Sequence, residues 1–298
     1  MSDSSHRFPG AAAWRTAIIA GSGDLGTEAG LRFADRGLRV VGIRRQADLL
    51  PGSFDRQSLD LSVDAPVIPA DTAVVVVALA AGSRDPDVYR VTYLDGLRHV
   101  LDAVAASGAS PRIVFVSSTA VYDVADGSVV DEDTPATASG PTAAILLEAE
   151  QLLASRSAAS GWKSVSLRLG GIYGPGRERL IDQVRQGAHA PRNSPHTNRI
   201  HRDDAAAAIV HLALDVATPP PVVLGVDDES APLSDVLRFI AAELDVDEPS
   251  EGAEMARGAA GDKRCDNALL HSTGFEFAYP TYREGYRAVL AGDGVRHP

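Results

Sequence analysis

Apolar runs and amphipathic segments alternate along most of the chain, and each change of period marks a new element. Thr16-Ala-Ile-Ile-Ala20 is apolar without alternation, which predicts a strand over 15–20 covered on both faces. Helix-spaced apolar positions over 25–36 come next, then a strand over 39–43 and a short third strand near Ser58–Leu61. The uninterrupted run Ala73-Val-Val-Val-Val-Ala78 predicts a fourth strand. A long helix is expected over 86–107, a strand over 112–117, an irregular loop over 119–141, a helix over 142–159 and a strand over 164–169. Beyond Gly170 the pattern loosens into a Gly/Pro-rich turn, a short helix near 180–187 and a polar loop over 188–199. A helix over 203–216, a strand over 222–226, a helix over 232–244 and an acidic, Gly-rich surface loop over 245–262 complete the pattern. This alternation predicts an α/β fold: a Rossmann-type doubly wound parallel sheet with a small C-terminal substrate-binding part. The expected divisions are a disordered tail over 1–12, a dinucleotide-binding core over 13–170, and a smaller part over 171–298 with segments returning to the core.

The junction of the first strand and first helix carries Gly21-Ser-Gly-Asp-Leu-Gly26, with G-x-G-x-x-G spacing. Gly21 permits a tight turn, Gly23 lets the backbone approach a pyrophosphate, and Gly26 lets the helix pack closely on the strand. The helix N-terminus supplies free N–H groups and partial positive charge for the phosphates. Asp24 is double-edged there, because a carboxylate favours the helix start but is repelled by pyrophosphate. At the end of the second strand, an NAD-type site carries a carboxylate for the ribose 2′-OH. This chain has Arg44-Arg45 instead. Two guanidiniums suit a 2′-phosphate, so NADP(H) is favoured over NAD(H); a solvated basic pair is the alternative.

Composition narrows the setting. The 298 residues can bury a large core, and the formal charge of −12 argues against nucleic acid and anionic membrane as partners. The single cysteine, Cys265, excludes a disulfide framework and suits a reducing cytoplasm. No apolar run reaches the ~18 residues of a membrane span. The histidines form no tight ligand pattern, so no metal site is expected.

Three further motifs accompany the glycine turn: Val116-Ser-Ser-Thr-Ala-Val-Tyr122, Leu167-Arg-Leu-Gly-Gly-Ile-Tyr-Gly-Pro-Gly176 and Asn198-Arg-Ile-His-Arg-Asp-Asp204. With these motifs in this order, the chain resembles the extended short-chain dehydrogenase/reductases of the NAD-dependent epimerase/dehydratase type over nearly its whole length. Lys263-Arg-Cys-Asp-Asn267, Gly274 and Tyr279-Pro-Thr-Tyr-Arg-Glu-Gly285 look like the C-terminal end of an atypical subgroup. The resemblance implies a hydride moved to or from a nicotinamide, with Ser118 polarising the substrate oxygen. It also places Asp60 and Leu61 near the adenine, and Ala78, Leu79 and Ala80 near the nicotinamide ribose. Leu25, Ser117, Gly171 and Ile172 complete the expected cofactor contacts. A homodimer through the helices near 86–107 and 142–159 is likewise implied by analogy.

One departure is decisive for the chemistry. In such enzymes a Tyr-x-x-x-Lys pair opens the helix after Ser118, and the Lys makes the phenol a usable base. Counting back from Glu150-Gln-Leu-Leu153 puts Thr142 and Leu146 at those positions; a register on Glu148 puts Gly140 and Ala144 there. Neither supplies a phenol or an amine. Tyr122, Tyr173 and His201 are the candidate substitutes, each with a packing or hydrogen-bonding role as the alternative. Asp203 and Asp204 fit a helix cap. Arg177, Arg179, Arg185, Arg192, Arg199 and Arg202 surround the expected substrate mouth, where they either meet an anionic small molecule or are simply solvated. The expected activity is an NADP(H)-binding oxidoreductase or epimerase/dehydratase-type enzyme on a small metabolite. The alternatives are a non-catalytic dinucleotide sensor and a non-redox isomerase or cyclase.

Overall fold

Apolar strands without alternation need cover on both faces, and the fold supplies it. The computed structural model describes residues 16–253 and 261–298; the tail expected over 1–12 lies outside the described residues. Seven parallel strands form the central sheet: β1 (Thr16–Ala20), β2 (Arg39–Arg44), β3 (Asp55–Ser58), β4 (Thr72–Val77), β5 (Arg112–Ser118), β6 (Lys163–Leu169) and β7 (Val222–Gly225). Their order across the sheet is β3-β2-β1-β4-β5-β6-β7, so the winding reverses between β1 and β4. Ligands of such sheets bind in the crevice at that reversal.

Successive strand residues point to opposite layers. Ala17, Ile19, Val74 and Val76 pack beneath α1 (Asp24–Asp35) and a later helix, Arg202–Leu214. Ile18, Ala20, Val75 and Val77 pack on the other face beneath a long helix and a second one, Pro141–Ser160. The long helix, α2, runs as Pro86–Tyr89, a π-helical turn at Arg90–Asp95, and Gly96–Ser107. We number the others α3 (Pro141–Ser160) and α4 (Arg202–Leu214). A separate apolar cluster is built by the short helices Arg179–Arg185, Leu233–Glu243 and Tyr282–Ala291, around Tyr173, Val236, Ile240 and Tyr286.

Two differences from the periodicity reading have physical causes. The third strand is Asp55–Ser58, ending before Asp60 and Leu61; it is a polar edge strand, so no apolar pattern announces it. The segment read as an irregular loop over 119–141 contains the strand Ala125–Val130, which pairs in parallel with Asp262–Cys265. That partner is more than a hundred residues away, beyond the reach of any local window. Among the described residues no helix is long and apolar enough to cross a membrane.

Candidate active site

The glycine turn is held by contacts that require its glycines. Gly21 sits at φ +95°, and a Cβ there would stand 2.4 Å from the Ala78 carbonyl oxygen at the end of β4. A Cβ on Gly26 would stand 2.3 Å from the Gly21 carbonyl oxygen, so α1 packs directly on the turn. A Cβ on Gly23 would meet nothing within 4 Å; this backbone faces open space. Ser22 locks the turn to its neighbours: its hydroxyl donates to the Ile19 carbonyl at 2.9 Å and accepts from the Ile43 N–H at 3.1 Å.

That open space is a groove across the carboxyl ends of the strands. Its first half has a volume of about 740 Å³ and is lined by Gly21, Gly23, Arg44, Arg45, Asp60 and Leu61. Its second half, about 540 Å³, is lined by Asp24, Leu25, Gly26, Ser117, Ser118 and Ile172. Both halves share Gly23 and the β4 end, Ala78, Leu79 and Ala80. Gly171 lines neither half, although its neighbours Gly170 and Ile172 do. In the first half, Arg44 Nη1 donates to the Ser22 and Pro298 carbonyl oxygens. The Asp60 carboxylate accepts from the hydroxyl and N–H of Ser62, which hold it below its usual range. Arg45 is exposed at the rim.

Asp24 sits in the first turn of α1 with its side chain 7% exposed. Arg177 Nε reaches Oδ2 at 2.7 Å, while Arg202 Nη1 reaches Oδ1 at 2.8 Å. The conflict between carboxylate and phosphate is thereby relieved: two guanidiniums, the buried Arg202 and the groove-lining Arg177, offset the charge of Asp24. Arg202, expected at the substrate mouth, is instead buried against Asp24, Asp203 and the Val295 carbonyl. Arg199 is buried as well, which leaves Arg177 as the one of those six arginines that lines the second half of the groove.

The structure does not bring Tyr122, Tyr173 or His201 to either half of the groove. Tyr122 is buried and accepts from Arg168 Nη1 at 2.6 Å; burial pushes its phenol up to about 12. Arg168 pairs at 2.6 Å with the buried Glu150, to which the Ser117 hydroxyl also donates. Tyr173 stacks on Tyr286 with ring centroids 4.6 Å apart, and its hydroxyl abuts the backbone at Gly285, where a Cβ would stand 1.9 Å away. Burial raises its phenol far above the ordinary value. His201 caps α4, its Nδ1 accepting from the Asp203 N–H at 3.2 Å, and is pushed down to about 4 by burial. Asp204 accepts from the N–H groups of Ala278 and Tyr279. Among the described residues no group of three or more His, Cys, Asp or Glu side chains is placed to hold a metal.

The NAD dependent epimerase/dehydratase family matches residues 18–225. The chain belongs to this family. It is 27% identical over 273 residues to Protein YeeZ of Escherichia coli (strain K12), covering 88% of this chain and 95% of that one. It is 26% identical over 245 residues to a dTDP-6-deoxy-L-talose 4-dehydrogenase (NAD(P)(+)) of Kitasatospora kifunensis, covering 74% and 77% of the two chains. A solved protein of Methylobacillus flagellatus, described as an NAD-dependent epimerase/dehydratase, is 33% identical with a TM-score of 0.77, covering 94% and 98%. The Thermus thermophilus UDP-glucose 4-epimerase, solved with NAD, shares the fold at a TM-score of 0.77 and 19% identity over 93% and 98%.

One wall of the groove carries the positions at which the resemblance implies a Tyr and a Lys. Thr142 and Leu146, the positions reached by counting back from Glu150, both line the second half of the groove. The alternative register on Glu148 gives Gly140 and Ala144, which do not. Glu150 fixes this orientation by turning inward to Arg168. The wall therefore presents a hydroxyl and an isobutyl group where the resemblance leads one to expect a phenol and an amine. The phenols that do line this half are Tyr89 and Tyr93 of α2, joined at the rim by Arg84. Sequence reasoning missed them; their spacing of four on a predicted helix was the one available signal.

Proposed function

We propose that the protein is an NADP(H)-dependent oxidoreductase of the epimerase/dehydratase type, acting on a small metabolite bound beside Ser118. The observation that carries this reading is the Arg44–Arg45 pair at the carboxyl end of β2, on the wall of the groove's first half. A ribose 2′-phosphate there would meet guanidiniums where an NAD-type site presents a carboxylate. The residues fit the rest of a dinucleotide: Gly23 leaves room for the pyrophosphate, and the α1 N-terminus faces it. The likeness to a dehydrogenase named for NAD(P)+ supports hydride chemistry. Arg84 and Arg177 on the second half favour an anionic substrate.

Titration with NADPH and NADH, followed by nicotinamide fluorescence, tests the reading. Two partly solvated charge contacts are together worth about 1.4–2 kcal/mol, so NADPH binds roughly 10–30-fold tighter than NADH. Replacing Arg44 and Arg45 by Ala brings the two affinities together without weakening NADH. Tighter binding of NADH by the wild-type protein refutes the assignment. A sensor that binds the dinucleotide without chemistry is the second reading, favoured by Thr142 and Leu146 on the wall. It expects NADPH binding with no hydride transfer to any carbonyl.

A further inference from the structure

The second half of the groove draws its phenols from α2, and Tyr93 is the better placed of the two. Tyr93 belongs to the π-helical turn Arg90–Asp95, and such turns re-aim side chains and concentrate at functional sites. Its hydroxyl oxygen lies against the backbone N–H of Ala81, the residue directly after the β4 end that both halves share. An oxygen approached by a donor keeps its own proton to give away. The Tyr89 ring packs on it at 5.0 Å and fixes its orientation. Burial holds the Tyr93 phenol above its ordinary value, so it is protonated at neutral pH. Ser118, which accepts from the Ala120 N–H, lines the same cavity and keeps its hydroxyl proton as a second donor.

We propose that Tyr93 is the proton donor of this active site, giving its Oη proton to a substrate carbonyl oxygen that Ser118 also hydrogen-bonds. This deepens the functional reading above and rests on NADP(H) filling the groove. The reduced nicotinamide, when bound, supplies a hydride to the carbonyl carbon and is left oxidised. As the C=O double bond becomes a single bond, the Tyr93 O–H bond breaks and a new O–H bond forms on the substrate. The phenolate then takes a proton from solvent. A neutral phenol is suited to giving a proton, and α3 offers no ammonium at Leu146 to favour its ionised form.

Three measurements on the full chain test this. Nicotinamide fluorescence first reports whether NADPH binds; failure there defeats the functional reading itself and is seen before Tyr93 is touched. Ultraviolet difference titration of the tyrosines to about pH 10.5 is then run with NADP+ and with NADPH. The oxidised ring carries a positive charge, so a phenol beside it ionises about one pH unit lower with NADP+ than with NADPH. This shift is expected in wild type and in Tyr89→Phe, and is lost in Tyr93→Phe. A shift that survives Tyr93→Phe, or is absent from wild type with NADP+ bound, overturns the proposal. Finally, 4-nitrobenzaldehyde serves as a carbonyl probe for NADPH oxidation. Tyr93→Phe is expected to slow it about a hundredfold while leaving NADPH affinity within about twofold. Oxidation no faster in wild type than in Tyr93→Phe overturns the donor role.

Discussion

Replacing Asp24 by Asn separates the two demands made on the α1 N-terminus. The Arg202 side chain is 1% exposed and that of Asp24 7%. Removing one partner of such a buried pair costs about 3–5 kcal/mol when the other charge is left uncompensated. Arg202 would not be left alone: Asp203 remains at 2.6 Å, Glu28 at 3.8 Å and the Val295 carbonyl at 2.8 Å. The Arg177 side chain, 34% exposed, can turn to water, and its half of the cluster adds at most about 1 kcal/mol. Asn also keeps one oxygen able to accept. The expected loss is therefore about 2–3 kcal/mol, a fall in Tm of roughly 4–12 °C at about 2–4 °C per kcal/mol. Urea unfolding gives the first quantity and a thermal scan the second. The same variant is expected to bind NADPH as well as wild type or better, because a negative charge has left the pyrophosphate end of the groove. An unchanged unfolding midpoint would show that the Asp24 pairs contribute nothing measurable. NADPH binding weakened more than tenfold would show that the carboxylate itself holds the cofactor.

The other predictions concern the turn and the cap. Gly21→Ala forces a side chain into φ +95° and against the Ala78 carbonyl, and is expected to cost about 3 kcal/mol or more in urea unfolding. Gly23→Ala meets no protein atom, so its stability should stay within about 1 kcal/mol of wild type while NADPH affinity falls at least about tenfold. Undiminished affinity would mean that no phosphate approaches Gly23. His201 makes stability depend on pH: burial lowers it from 6.5 to about 4, so the unfolded chain takes up a proton that the folded chain refuses. Its contribution is complete above the unfolded value of 6.5 and is lost as pH falls toward 4, by about 3 kcal/mol over the whole window. His201→Asn, which keeps a cap for α4, should flatten the dependence of the urea midpoint between pH 7 and pH 5; an unaltered slope would assign it to other groups.

What was legible in the sequence followed from how local each signal is. Parallel strands covered on both faces must be apolar throughout, so Ala73–Ala78 announced β4 to within one residue. The glycine turn was legible for the same reason: its constraints act between residues close in sequence, or between the turn and the adjoining strands. Asp55–Ser58 gave no pattern because an edge strand buries little, and Ala125–Val130 gave none because its partner stands at Asp262–Cys265. At the site the same divide holds. Thr142 and Leu146 could be placed by counting, since α3 is a regular helix and Glu150 is pinned at a fixed offset. Tyr122, Tyr173 and His201 stand in motifs at strand ends, but a motif does not say which way a side chain turns. Packing decided that, sending Tyr122 to Arg168, Tyr173 to Tyr286 and His201 to the α4 cap. Tyr93 was the least legible of all. Its spacing of four from Tyr89 was the one signal, and nothing in the local pattern of 86–107 distinguishes the π-turn that holds it from the α-helix on either side. The residues that α3 places on the groove wall were therefore countable, whereas the phenols that line the groove depend on three-dimensional geometry.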